Sequence, residues 1–341
     1  MTRVGAVGRV LLAALTLTLV SCSMSGSSSS SSTTSATVPA VYEPYANARP
    51  AVDPIGKVTE GTLRTPDGLT RHYRLYVPSS LPAGERVPLL IALHGGTGWG
   101  AQFEVNSGFD GLAESNHFLV VYPDGTNARA DSTTLLTWNG GVCCGAAADR
   151  DVDDVGFIRL LLDELQRTRP VDSARVFATG HSNGAILSYR LACEMSDRIS
   201  AIGVQSGVIG VSCQPARPVS VFHLHGMADT NIPIDGGRGA GISGVVFPSP
   251  REAPIAFASN DRCASGPTEA PDPSNPDVTS RTWSDCAEQR TVRFVTVEGA
   301  SHAWMGHPGA AAGAANLVGT PYAGFDASRA IWSFLALQPA R

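Results

Sequence analysis

One pentapeptide, Gly180-His181-Ser182-Asn183-Gly184, constrains this chain more than any other stretch. Residues 174–179 before it read as a short strand, and Ala185 to Met195 after it read as a helix. In that context G-x-S-x-G predicts a sharp strand-to-helix turn that lifts the serine hydroxyl above the end of a sheet. The glycines answer a steric need, because the chain on both sides of such a turn packs closely against its neighbours. The turn also aims the Asn183 N–H, at a helix N-terminus, toward an oxyanion developing beside Ser182.

The surrounding pattern is one of strands alternating with helices. Thr62 to Val77 alternates polar and apolar residues around Pro66-Asp67-Gly68, the mark of an antiparallel hairpin. Val87 to Leu93 and Phe118 to Tyr122 are nearly continuous apolar runs, as in strands buried on both faces. Further strands are expected at Ile199 to Gln205, Val219 to Leu224 and Val292 to Val297. Helices are expected at Asp153 to Arg167, with dipole-favouring charges at both ends, and at Ser328 to Leu337. This alternation predicts an α/β fold, a mostly parallel sheet with helices on both faces. Gly236 to Asp285 is poor in periodicity and rich in Gly, Pro and Ser, so an insertion over about 236–290 is expected on the surface near the site.

A serine hydroxyl needs a base, and the base needs an orienting acid. The elbow predicts the chain order Ser, Asp, His, each in a loop after a strand. Val219 to Leu224 leads into His225-Gly226-Met227-Ala228-Asp229, so Asp229 is the candidate acid. Val292 to Val297 leads into Glu298-Gly299-Ala300-Ser301-His302, so His302 is the candidate base. Asp235 and His307 lie farther past the strand ends and are the reserves. The second oxyanion donor is expected in Leu93-His94-Gly95-Gly96-Thr97, at Gly96 or alternatively Thr97, with His94 structural. Trp138 and Trp304 are expected on the substrate pocket wall, with Trp99 nearby and Tyr122 in the core. His223-x-His225 with Asp229 is the one zinc-like grouping, and its spacing matches no standard zinc signature.

The N-terminus reads as an address. Arg3 and Arg9 precede an apolar run from Val10 to Val20, too short to span a bilayer, and Leu19-Val20-Ser21-Cys22 has the form of a lipobox. Residues 1–22 are therefore expected to be a lipoprotein signal, with Cys22 acylated. Residues 23–50, rich in Ser, Thr and Pro, are expected to be a flexible tether, and 51–341 one catalytic domain. Six cysteines remain: Cys143, Cys144, Cys193, Cys213, Cys263 and Cys286. An even count in an exported chain predicts three disulfides, the first expected pair being Cys263 with Cys286 around one Pro/Ser/Asp-rich stretch. A formal charge of −5 and a single lysine, Lys57, give no electrostatic footprint for nucleic acid.

From about Pro54 onward the chain resembles the secreted α/β-hydrolase esterases grouped as polyhydroxybutyrate depolymerases, acetyl xylan esterases and feruloyl esterases, and among them bacterial lipoproteins of the LpqC type. The resemblance rests on Leu93-His94-Gly95-Gly96, Tyr122-Pro123-Asp124-Gly125, Trp138-Asn139 with Cys143-Cys144-Gly145 and Asp153-Asp154-Val155-Gly156-Phe157, the elbow, and His302-Ala303-Trp304. It implies the α/β-hydrolase fold, Ser182 as nucleophile, Asp229 as acid, His302 as base, and backbone donors at Asn183 and near Gly96. It also implies that Cys143, Cys144, Cys193 and Cys213 are structural cystines. The chain departs from many relatives at His181 and Asn183, at Gly96 where depolymerases often carry cysteine, and at Met305-Gly306.

The chain is thus expected to be a serine esterase anchored by lipid to the outer face of the cell membrane, or secreted. Its expected partner is an ester that is small, a hydroxyacid oligomer or linked to polysaccharide, and the mechanism calls for no cofactor or metal. A cell-wall acyltransferase using the same three side chains, a non-catalytic surface adhesin and a peptidase are the rival readings.

Overall fold

A computed structural model describes residues 47–129, 132–307 and 315–341. The signal segment 1–22 with Cys22, and most of the tether, lie outside the described residues. In chain order the elements are β1 (Lys57–Arg64), β2 (Thr70–Val77), β3 (Val87–Leu93), α1 (Gly100–Ser107), α2 (Phe109–Asn116), β4 (Leu119–Pro123), α3 (Gly145–Asp149), α4 (Asp154–Thr168), β5 (Val171–His181) and α5 (Asn183–Glu194). There follow β6 (Ala201–Gln205), β7 (Ser220–Gly226), β8 (Gly237–Arg238), β9 (Val246–Phe247), α6 (Glu252–Asn260), β10 (Ser265–Asp272), β11 (Asn275–Ser284), β12 (Val292–Val297), α7 (Ala315–Val318) and α8 (Ala327–Leu335).

Ten strands form one sheet in the order β1-β2-β4-β3-β5-β6-β7-β12-β11-β10. The six from β4 to β12 run parallel, and antiparallel pairs close both edges. The apolar runs explain the centre. All seven residues of β3 and all five of β4 and β6 are buried, because helices cover both faces of the parallel strands. On one face α4, α5 and α6 pack Ile158, Leu161, Leu187, Leu191 and Phe257 onto the sheet. On the other, α1, α2 and α8 contribute Phe103, Leu112, Ile331 and Trp332. Asp153 caps α4 by accepting from the Gly156 N–H at 2.7 Å.

The parallel strands, α4, α5 and α8 stand within a few residues of their sequence expectation. The segment expected to be a surface insertion does not behave as one throughout. Residues 252–284 carry α6, whose Phe257 is fully buried, and the two strands that complete one sheet edge. Residues 236–250 are the looped part, with only the two-residue strands β8 and β9.

The six cysteines pair as Cys143–Cys144, Cys193–Cys213 and Cys263–Cys286. The first joins neighbours in sequence. The second ties the end of α5 to the loop before β7. The third links the end of α6 to the end of β11.

Candidate active site

Ser182 stands between β5 and α5 with φ 55° and ψ −118°, a left-handed conformation costly for any residue with a Cβ. Its N–H donates to the Gln205 carbonyl at 3.1 Å, which fixes the turn to β6. Both elbow glycines are sterically required. A Cβ on Gly180 would collide with the backbone of Gly184, and one on Gly184 with the backbone of Leu93 and His94.

The β7 and β12 loops bring Asp229 and His302 together. His302 Nδ1 lies 2.7 Å from Asp229 Oδ2, and both side chains are buried. The other oxygen of Asp229 accepts the N–H groups of Asn231 and Ile232, each at 2.9 Å. Burial alone would raise the Asp229 pKa. The His302 ring and these N–H groups outweigh it and hold the carboxyl below its usual range. The His302 backbone is held too. His181 Nε2 donates to its carbonyl at 2.7 Å, and Gln205 bridges the Ala303 carbonyl and the Met305 N–H at 2.8 and 3.1 Å. The elbow histidine, which reads in the sequence only as a departure from relatives, therefore ties the Ser182 turn to the His302 loop.

A chain of buried groups approaches Asp229 from below. His225 Nε2 is 2.9 Å from the Ile232 carbonyl, so that nitrogen carries the hydrogen. Burial holds the ring neutral, with a pKa of about 4, so its Nδ1 accepts from His223 Nε2 at 3.1 Å. His223 Nδ1 then accepts the Tyr189 hydroxyl at 2.7 Å. His225 Nε2 also lies 3.6 Å from Asp229 Oδ2. All four ring nitrogens of His223 and His225 are spoken for within the protein. The zinc-like grouping is thus a hydrogen-bonded chain beside Asp229.

Of the reserves, Asp235 is exposed and pairs with Arg251 at 3.0 Å. His307 pairs with Asp326 at 3.3 Å and reaches the same cavity as Ser182.

That cavity, of about 470 Å³, opens beside Ser182, His302, Gly96 and Asn183. The Thr97 N–H donates to the Leu136 carbonyl at 2.8 Å and is committed there. Gly96 faces the elbow, and a Cβ built on it would lie 3.6 Å from the Asn183 Cβ. His94 is structural: its Nε2 accepts the Gly125 N–H at 3.0 Å and its Nδ1 donates to the Gly95 carbonyl at 2.8 Å. Burial keeps that ring neutral, with a pKa of about 4.

Trp304 lines the cavity. Trp138 does not, which corrects the sequence expectation. It is fully buried, its Nε1 donating to the His94 carbonyl at 3.0 Å. The reason is Asn183, whose side-chain amide bonds both the N–H and the carbonyl of Trp138, at 2.7 and 2.9 Å, and draws that residue under the elbow. Asp154, paired with buried Arg71 at 2.7 Å, accepts the next N–H, that of Asn139. Instead of Trp138, the Cys143–Cys144 disulfide reaches the wall, beside Ile186, Ile232 and Phe247. Trp99 precedes α1 outside the lining, and Tyr122 lies in the core with its hydroxyl on Asp110.

With this geometry in place, the comparison with known proteins is informative. Residues 71–233, spanning β2 to the loop after Asp229, match the family model described as esterase PHB depolymerase. Over that stretch the chain is similar to this esterase family. Among curated relatives, the chain is 27% identical over 244 residues to the bifunctional acetylxylan esterase/xylanase XynS20E of Neocallimastix patriciarum, covering 69% of this chain and 31% of that protein. It is 27% identical over 234 residues to feruloyl esterase B of Piromyces equi, covering 66% of this chain and 41% of that protein. The chain thus spans well under half the length of these two relatives. Among solved structures, the acetyl xylan esterase of Aspergillus awamori superposes with a TM-score of 0.54 at 17% identity, over 72% of this chain and 94% of that one. The shared fold is the α/β-hydrolase fold.

Proposed function

We propose that this chain hydrolyses carboxylic esters through an acyl-enzyme, with Ser182 as nucleophile, His302 as base and Asp229 as orienting acid. The observation that carries it is the His302–Asp229 pair at 2.7 Å, opening on the same cavity as a serine held on a strained elbow. The Asp229 carboxylate keeps the hydrogen of His302 on Nδ1, which leaves Nε2 to take the Ser182 hydroxyl proton. The alkoxide oxygen attacks the ester carbonyl, and the Gly96 and Asn183 N–H groups receive the oxyanion. The tetrahedral intermediate expels the alcohol, protonated by His302. Water, deprotonated by the same nitrogen, then releases the acid and restores Ser182.

Export and anchoring through Cys22 belong to the same proposal. They are supported by the lipobox-like Leu19 to Cys22 and by three disulfides in a chain of this size. The mature chain beginning after residue 22 is to be assayed on p-nitrophenyl acetate, butyrate and octanoate, beside Ser182→Ala. Turnover by the wild type and a loss of about 10³-fold or more in the variant are expected. Equal, residual rates in two folded proteins would sink the proposal.

A further inference from the structure

Tyr189 on α5, and His223 and His225 on one face of β7, are fully buried and take no part in the chemistry proposed above. They stand among apolar rings. Phe257 lies 5.7 Å from Tyr189, and Phe294 packs edge-on against His223 at 5.2 Å, centroid to centroid. A hydroxyl and two imidazoles in such surroundings are costly unless their polar atoms are paired, and apolar side chains of the same size would serve packing alone at least as well.

Their hydrogen bonds run in one direction. Burial keeps the Tyr189 hydroxyl protonated and both imidazoles neutral. The Ile232 carbonyl can only accept, so His225 donates to it through Nε2, and its Nδ1 has to accept. His223 therefore donates through Nε2, and its own Nδ1 accepts from Tyr189. The chain ends on the turn that holds Asp229. The Ile232 carbonyl is gripped by His225 at 2.9 Å, and the Ile232 N–H donates to Asp229 Oδ1, also at 2.9 Å. Oδ2 of the same carboxylate faces His302 Nδ1. Because α5 starts directly after Ser182, these side chains join the helix of the elbow to the turn of the acid through the interior.

Resting on the ester-hydrolase reading, we infer that Tyr189, His223 and His225 are positioning residues that fix the Asp229 turn and, through Asp229, the orientation of the His302 ring. Tyr189 acts by keeping the hydrogen of His223 on Nε2. Without its hydroxyl, His223 can carry that hydrogen on Nδ1, and the donor to His225 is lost.

The test is a double-mutant cycle on p-nitrophenyl acetate. Tyr189→Phe deletes one oxygen and keeps the ring. Its kcat is expected to fall about tenfold, with KM within about twofold of the wild type, because a misplaced base is felt at the transition state and not in substrate binding. In an Asp229→Asn background the same change should alter kcat by less than about twofold, since the carboxylate it positions is already gone. Losses that multiply in the double variant, a loss confined to KM, or no loss in Tyr189→Phe each overturn the inference. A second pair decides the matter should Tyr189→Phe not fold. His223→Leu should lose kcat about tenfold, whereas His223→Gln, whose amide donates from the place of Nε2 without help from Tyr189, should stay within about threefold of the wild type. Equal rates in these two variants, each with a native near-ultraviolet circular dichroism spectrum, overturn it as well. Ser182→Ala separates the two readings. A folded wild type no faster than Ser182→Ala overturns the ester hydrolase and the inference together. A wild type that exceeds Ser182→Ala, with Tyr189→Phe as fast as itself, overturns the inference alone.

Discussion

Ser182 holds its place at the elbow as backbone strain. At φ 55° and ψ −118° a Cβ is costly, by about 1–3 kcal/mol, whereas glycine is at ease there. Ser182→Gly is therefore expected to be inactive yet to melt several degrees above Ser182→Ala; calorimetry of the pair decides it, and equal melting temperatures would mean that the turn holds no strain. His225 makes a second prediction at this scale. Its pKa is about 4 in the folded chain against 6.5 when free, because burial disfavours the charged ring. Between those values the unfolded chain binds one more proton, so this group's share of stability is lost as pH falls, by about 1.4 kcal/mol per pH unit. Asp110 and Asp261, raised by burial to about 7, act with the opposite sign, so the comparison belongs between variants. In His225→Gln the fall in stability from pH 6.5 to 4.5 should be shallower by one proton's worth. An unchanged slope in urea titrations at both pH values would contradict the assignment of a neutral ring.

At the scale of elements, the parallel strands were legible because each is a short apolar run, and the elbow because glycine spacing and flanking periodicity agree. The elbow and the strand ends together singled out Asp229 and His302, whose side chains meet at 2.7 Å. Other elements carry weaker local signals. α1 and α2 are eight residues each, divided by Gly108 at φ 64°, and α1 has too few apolar positions to show a stripe. β10 reads Ser265-Gly266-Pro267-Thr268-Glu269-Ala270-Pro271-Asp272, which is loop composition; it is a strand because β11 pairs with it. Trp138 was misplaced since sequence does not reveal which way a loop residue faces, and only the Asn183 amide decides it. The Cys263–Cys286 disulfide closes a stretch that begins at the end of α6 and runs through the β10–β11 hairpin, a sequence separation of 23. Replacing both cysteines by alanine should cost about 3 kcal/mol, read as a lower denaturation midpoint, with the esterase rate retained. A change below about 1 kcal/mol would show that the sheet edge holds without the link.

For the whole molecule, charge and site are separated: a chain of net charge −5 surrounds a cavity with no Asp, Glu, Lys or Arg among its described lining. A hemisuccinate ester should react about tenfold or more slowly than the acetate of the same alcohol, with the gap narrowing from 0.01 to about 0.5 M salt as screening grows. A gap indifferent to salt would place the discrimination in pocket shape. The ten-stranded sheet has one more consequence, at its two margins. The outermost strand on one side, β10, carries Pro267 and Pro271 and so lacks two amide donors, while the strand on the other, β1, bears Lys57, Glu60 and Arg64. Neither margin offers a clean template for strand addition, so copies crowded side by side on a surface, at concentrations that bulk solution never reaches, can remain individual molecules and not zip into fibrils.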